Sequence, residues 1–513
     1  MKKLSHLTRV SLLLACFFGV DKVLGIARQM IITRQFGLSS ELDAFNAANN
    51  LPDMLYALIS GGALAIAFIP VLSEVLTRDG RPAAWQLFSR IANLSFLVTG
   101  AFAVVIAVLA EPLVGWQLGI APGFTLTQQR LVAELMRLNL AATLIFSLSG
   151  LMMAGLQANQ HFLLPAVAPL LYNIGQIFGA VVLSPTRGIS LGPVHLPAFG
   201  LGVHGLLYGV IIGAALHLAV QIPGLLKYQF RWAPSIDLSN PAVRQVLKLM
   251  GPRVLTMLFI QLVFMARDNL ASRLDTGSVT ALTLGWMLMQ VPETLIGTAI
   301  GTALLPTLAE QIARSDLAAF KATIERAGRV LIALTLPAAA VLACGLAPLV
   351  KTAFGLPAAE NAVVVWVSQA YLAGLMGHSL MEVAARSFYA RQDARIPLFA
   401  AVLNVTAFAL LAFLFLKPLG AFGIAISNSL AYTGEAALLF FLLNRRLPAG
   451  LKFGGALLRA AMAACAGAAV TWLVLQIPSL PLPAVGLAII ALALGVLAAL
   501  PIVWQEVRQL ISL

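Results

Sequence analysis

Long apolar runs succeed one another along this chain, from Leu7–Ile32 near the start to the alanine- and leucine-rich stretch around Ala491. Each run is about as long as a bilayer core is thick. A window of about 19 residues places about fourteen spans, centred near Phe17, Ile59, Val98, Phe146, Ile174, Ile211, Phe259, Ile296, Ala338, Ala373, Leu403, Ile426, Val470 and Ala491. The pattern predicts an all-α polytopic membrane protein with no room between spans for a soluble domain.

Composition agrees. Of 513 residues 60% are hydrophobic and 10% charged, where a soluble domain carries about 25% charged residues. Mean hydropathy is +0.93. With the N-terminus inside, the cytoplasmic segments collect about 22 of the 33 basic residues, among them Lys2, Arg78, Lys227, Arg314, Arg386, Arg445 and Arg508. Both termini are therefore expected in the cytoplasm. The net charge of +13 is mostly this topological bias, so it is no nucleic-acid footprint. Cys16, Cys344 and Cys465 have neither metal nor disulfide spacing. Leu13-Leu14-Ala15-Cys16 lacks the polar tether that follows a lipoprotein cleavage site, so a retained first helix is expected.

Charges inside the spans change the picture. Asp21, Lys22 and Arg28 lie in the first run, where each costs at least ~2.5 to 3.5 kcal/mol at mid-bilayer and persists where it has a partner or a wet cavity. Asp53 lies in span two, Arg137 in span four, Arg253, Arg267 and Asp268 in span seven, Glu293 in span eight and Glu435 in span twelve. Lys22 and Arg28 are about 600° apart on a helix, so a helix unwound at Gly25 is expected to aim both inward. Arg267 and Asp268 are neighbours and are expected to point apart rather than neutralise each other. Lys22, Arg28 and Arg267 thus form the expected basic lining of a polar cavity, with Asp21, Asp53, Asp268 and Glu293 as acidic members.

The chain also repeats itself. Gly61-Gly62-Ala63-Leu64-Ala65-Ile66-Ala67-Phe68-Ile69-Pro70-Val71-Leu72-Ser73-Glu74 matches Gly297-Thr298-Ala299-Ile300-Gly301-Thr302-Ala303-Leu304-Leu305-Pro306-Thr307-Leu308-Ala309-Glu310 in the pattern G-x-A-x-x-x-A-F/L-I/L-P-x-L-x-E. Upstream, after a gap of about one turn, Leu51-Pro52-Asp53-Met54-Leu55 pairs with Val291-Pro292-Glu293-Thr294-Leu295, and Ala27-Arg28 with Ala266-Arg267. Six spans separate the copies, so both run the same way through the membrane, as in parallel-repeat transporters with a site at the repeat interface. Pro52, Pro70, Pro292 and Pro306 each remove a backbone hydrogen bond and are candidate bends.

These residues carry a family resemblance. Val23-Leu24-Gly25-Ile26-Ala27-Arg28, then Asp43-Ala44-Phe45, Leu51-Pro52 and Phe68-Ile69-Pro70-Val71-Leu72, resemble the start of the MurJ (MviN) lipid II flippases. Ala121-Pro122-Gly123-Phe124, the run Pro165 to Asn173, Met250-Gly251-Pro252, Gly301 to Pro306 and Phe388-Tyr389-Ala390-Arg391-Gln392-Asp393 continue the match over residues ~20 to 400. The resemblance implies a fourteen-helix fold in the multidrug/oligosaccharidyl-lipid/polysaccharide exporter superfamily. Its lobes would span residues 1–230 and 231–445, with two extra helices in 446–513 that offer a groove to an isoprenoid tail. It further implies a flippase, not an enzyme, that moves undecaprenyl-diphosphate-linked lipid II to the outer leaflet by alternating access. Arg28 matches a family cavity arginine, Lys22 stands where another usually sits, and Asp43 matches the acidic residue after span one. Tyr56 and Met287 occupy positions where the family has arginines, and Trp286 and Gln290 replace acidic neighbours.

The resemblance also implies a bacterial inner-membrane location, a lipid-linked precursor as partner and a monomer near cell-wall synthesis enzymes. No cofactor is implied, and the coupling ion, sodium or proton, stays open. Other readings are a flippase for another polyprenyl-diphosphate glycan, and a multidrug or cation antiporter served by Asp21, Asp53 and Glu293. Arg78-Asp79-Gly80-Arg81 weakly echoes a major-facilitator loop, which the span count opposes. A lipid-diphosphate enzyme would need an acidic metal cluster or a His-bearing loop, and the six histidines are scattered singly.

Overall fold

A computed structural model describes residues 6–60, 62–191, 194–447, 450–477 and 483–510. Among the described residues, ten helices are long and apolar enough to cross a membrane. One of them, Arg395–Asn444, holds 50 residues and is really two, because Gly420 interrupts it at φ +55°. Asn404 Nδ2 donates to Glu435 Oε2 at 2.8 Å; in a straight helix these residues would stand ~46 Å apart. Spans eleven and twelve are therefore a helical hairpin, turned at Pro418 and at a glycine whose left-handed backbone an L side chain resists. With His6–Phe36, the broken second span and Ala484–Ala499, the crossing segments number about fourteen, as the hydropathy predicts. The described strands form one short antiparallel hairpin, Ile189–Leu191 with Val194–Leu196, between spans five and six.

The chain divides into two compact units, one ending at Asn269 and the other beginning at Leu270. The division falls at the end of span seven (Pro241–Ala271), so nearly all of that helix belongs to the first unit.

In the first unit span five (Leu163–Phe178, continued by a π turn at Gly179–Leu183) lies against span six (Val203–Ala219). Gly175 and Gly179 face Gly205, Gly209 and Gly213, so glycines four apart on both helices let the backbones touch. A Cβ on Gly209 would sit 2.7 Å from the Gly179 Cα, closer than any side chain allows. Span seven is fixed mainly at its ends. Val243 and Val246 are buried in the core around Trp85 and Phe88, and Arg267, Asp268 and Asn269 are buried at the other end. Asn269 Nδ2 donates to the carbonyls of Gln117 and Gly119 at 3.0 and 2.6 Å.

In the second unit, span nine (Leu317–Phe354) is sheathed by the extra C-terminal pair, Ala456–Leu475 and Ala484–Ala499. Ile332 and Ala333 pack with Ala460, Ala463, Ala499 and Val503, and Arg459 is ion-paired with the buried Glu506.

The repeat is visible in the backbone. Span two runs Asn50–Leu55, a π turn at Tyr56–Ser60, then Gly62–Arg78; span eight runs Ser278–Glu293, a π turn at Thr294–Thr298, then Ala299–Ala313. Both π turns begin within four residues of the matched prolines Pro52 and Pro292. The four-residue gap in the sequence match falls at this break, where five residues separate Leu55 from Gly61 and one separates Leu295 from Gly297.

Candidate functional site

The first span is an unbroken helix from His6 to Phe36, so the expected unwinding at Gly25 does not occur. Asp21, Gly25 and Arg28 are spaced i, i+4, i+7 and share one stripe. Along it Gly25 gives Asn173 of span five room to approach, with the amide Oδ1 3.9 Å from where a Cβ would be. Arg28 Nη1 donates to Asn173 Oδ1 at 3.0 Å, and Asn173 Nδ2 donates to Asp21 Oδ1 at 2.8 Å. One amide thus spends its acceptor on the cation and a donor on the anion, and keeps the two charges apart. Arg28 Nε is buried with no partner among the described residues, so the guanidinium is oriented while part of its donor fork is uncommitted. Lys22 is about 100° off this stripe and exposed.

Tyr56 opens the π turn of span two and packs on Phe146 at 5.5 Å. Phe146 in turn meets Tyr172 edge-on at 4.9 Å, so an aromatic row ends beside Asn173. Asp53 is exposed, Pro52 buried and Pro70 exposed within its helix. Asp43 is only 1% exposed. It sits in the first turn of Ser40–Ala48, whose N-cap Ser39 accepts from Leu42 N at 3.2 Å, where a carboxylate suits the helix dipole.

The expected separation of Arg267 and Asp268 is wrong. Arg267 Nε donates to Asp268 Oδ1 at 2.7 Å, and Asn50 Nδ2 donates to Asp268 Oδ2 at 2.7 Å. Helical neighbours diverge at Cβ, but the long arginine stem curls back. Burial gives it cause, since an unpaired charge there is expensive. Arg267 is 9% exposed and lies over the Phe264 ring at 5.3 Å. Arg253 is half-buried, with an unpartnered Nε among the described residues. Arg137 is exposed, donating to the Ala107 carbonyl at 2.9 Å and pairing with Glu111 at 3.3 Å.

In the second unit Glu293 accepts from Thr298 Oγ1 at 3.0 Å across the π turn. Met287 is half-buried, Gln290 exposed, Pro292 buried and Pro306 exposed. Trp286 meets Tyr371 and His378 edge-on, and His378 stacks on Tyr432 at 3.9 Å. Arg386, which sequence reasoning assigned to a cytoplasmic segment, is ion-paired with Glu382 and donates to Thr302 Oγ1 at 3.2 Å. Its room comes from Gly301 of the repeat motif, where a side chain would collide with the guanidinium. Among the described residues no three His, Cys, Asp or Glu are grouped to hold a metal.

Two members of these networks were missed as participants: Asn173, signalled by the stripe opposite it, and Arg386, signalled by its i+4 spacing from Glu382 in an otherwise apolar span.

A family model described as lipid II flippase MurJ matches residues 32–494. The chain is 31% identical to the lipid II flippase MurJ of Burkholderia cenocepacia, over 86% of this chain and 84% of that one. It is 29% identical to a probable lipid II flippase MurJ of Synechocystis, over 85% and 81%. Among solved structures, a lipid II flippase MurJ in an inward closed conformation superposes with TM-score 0.79 at 20% identity, covering 98% of this chain and 100% of that one. An inward-facing multidrug resistance MATE family transporter superposes at 0.69 and 14% identity, covering 83% and 94%.

Proposed function

The chain belongs to the MurJ family of lipid II flippases, and from that premise we propose that it moves an undecaprenyl-diphosphate-linked peptidoglycan precursor from the inner to the outer leaflet by alternating access. The observation that carries the reading is Arg28, braced by Asn173 against Asp21 with a buried Nε left open. A guanidinium offers paired N–H donors to the oxygens of a diphosphate. The brace fixes their direction before cargo arrives, which cuts the ordering cost of binding. Lys22, exposed on the same helix, adds positive charge for encounter. Arg267, already tied to Asp268, serves to hold span seven in place, and Arg386 supplies a guanidinium in the second unit. The protein acts as a monomer of the bacterial inner membrane, with both termini cytoplasmic, delivering its lipid-linked cargo to cell-wall synthesis enzymes.

The test is cargo flipping in vesicles together with rescue of cells depleted of their own flippase. Arg28→Ala should abolish both, while full activity in that variant removes the reading. The exposed Asp53 and the MATE-like fold favour a second reading, cation export. Efflux of an organic cation without lipid flipping would select it.

A further inference from the structure

The first unit holds a second feature that the flippase reading does not use. A cavity of about 460 Å³ opens between spans two, three and seven, lined by Met54, Leu58, Val98, Phe102, Met250 and Val254. It exists because span seven is packed at its two ends and stands off span three between them. Along span three the lining runs from Ile91 to Ile106, ~22 Å of helix, so the space suits a rod rather than a compact ligand. Apolar walls of this kind do not hold water.

One end is chemically different. Leu238 closes it, and its carbonyl accepts from Arg244 Nε at 3.0 Å. Arg90, next to the lining residue Ile91, is 3.7 Å from Asp237 and keeps a buried Nε with no partner among the described residues. Lys248 follows the lining residue Leu247. Three cations and one carboxylate leave this mouth positive. Trp232, 62% exposed, donates its indole N–H to Asn93 Oδ1 at 2.9 Å, and Asn93 Nδ2 straps the same segment through the carbonyls of Ala233 and Ser235. Tryptophan and arginine together mark headgroup depth. Among the described lining residues Ser95 has the one polar side chain, and its buried Oγ has no partner among the described residues. It lies five residues beyond Arg90, ~7.5 Å deeper.

We propose that this groove binds one acyl chain of an anionic phospholipid, with the phosphate at Arg90, Arg244 and Lys248 and the glycerol ester carbonyl accepting from Ser95. The order phosphate, ester, chain reproduces the order cation, hydroxyl, apolar wall. An isoprenoid tail has no ester for Ser95 and would leave that hydroxyl unmet. On the topology proposed above, the lipid comes from the cytoplasmic leaflet.

Native mass spectrometry of the detergent-purified full chain tests this, with phosphatidylglycerol, phosphatidylcholine of the same acyl chains and undecaprenyl phosphate as probes. Phosphatidylglycerol should be retained about tenfold over phosphatidylcholine. Arg90→Ala with Arg244→Ala should erase that preference, and Val98→Trp, which fills the groove, should remove the bound lipid. Ser95→Leu is a milder blocking variant should Val98→Trp fail to fold. Equal retention of the two phospholipids overturns the proposal. So does unchanged phosphatidylglycerol binding in a folded blocking variant, or retention of undecaprenyl phosphate that the blocking variant removes. Each outcome is independent of the Arg28→Ala flipping result, so the groove and the cargo reading stand or fall separately.

Discussion

Arg28 and Asn173 are 145 positions apart in the chain and 3.0 Å apart in space. The contact turns an arginine that membrane energetics disfavours into an aimed donor. Asn173→Leu keeps the helix and removes the brace. Binding of a lipid diphosphate should weaken by about tenfold, the loss of roughly one charge-assisted hydrogen bond, with Arg28→Ala losing more and Arg28→Lys retaining part. Titration of purified protein with undecaprenyl diphosphate measures all three.

Asp268 is the carboxylate that Arg267 leans on at the end of span seven. Removing one member of a buried pair costs about 3 to 5 kcal/mol because its partner stays charged. Asp268→Ala should lower the melting temperature sharply. The double variant with Arg267→Met should recover much of the loss, and simple additivity in that cycle would deny the coupling.

Close packing of spans five and six rests on Gly209, whose hypothetical Cβ falls 2.9 Å from the Gly175 carbonyl oxygen. Gly209→Val should cost about 1 to 3 kcal/mol by overpacking and also depress transport, since Asn173 rides on the displaced helix. Gly434, with nothing within 4 Å, is the control: Gly434→Ala should melt at or above the parent temperature.

Outside the membrane, the Phe388–Asp393 motif ties the loop before span eleven to the end of span twelve. A hydrogen bond from Arg446 at 2.7 Å holds the Asp393 carboxyl below the usual carboxylate range. A depressed acid stabilises above its unfolded pKa of about 3.9 and loses that contribution as pH falls through its folded value. Asp393→Asn should therefore melt below wild type at pH 7, and the two curves should converge under acid, below about pH 4.

Hydropathy made the spans legible because bilayer thickness leaves a length signature, and the repeat was legible because its glycines and prolines recur in order. The site was half legible. Arg28 stood out as an intramembrane charge, yet treating Lys22 as its companion overlooked that Asp21, Gly25 and Arg28 fall on one stripe while Lys22 does not. Asn173 carries no charge, so its part in the site is signalled only by the stripe that faces it on span one. Arg267 and Asp268 misled because neighbour geometry was judged at Cβ, ignoring the reach of the arginine stem and the pull of burial. The turn between spans eleven and twelve rests on the left-handed Gly420, which has no pattern of its own.

Each π turn holds one residue more per hydrogen-bonded loop than the α-helix around it. Ironing such a turn flat would feed that surplus residue into the downstream segment, advancing it by ~1.5 Å and spinning it by ~100°. Tyr56–Ser60 and Thr294–Thr298 thus set the facing of every side chain from Leu64 or Ala299 onward, at matched places in the repeat.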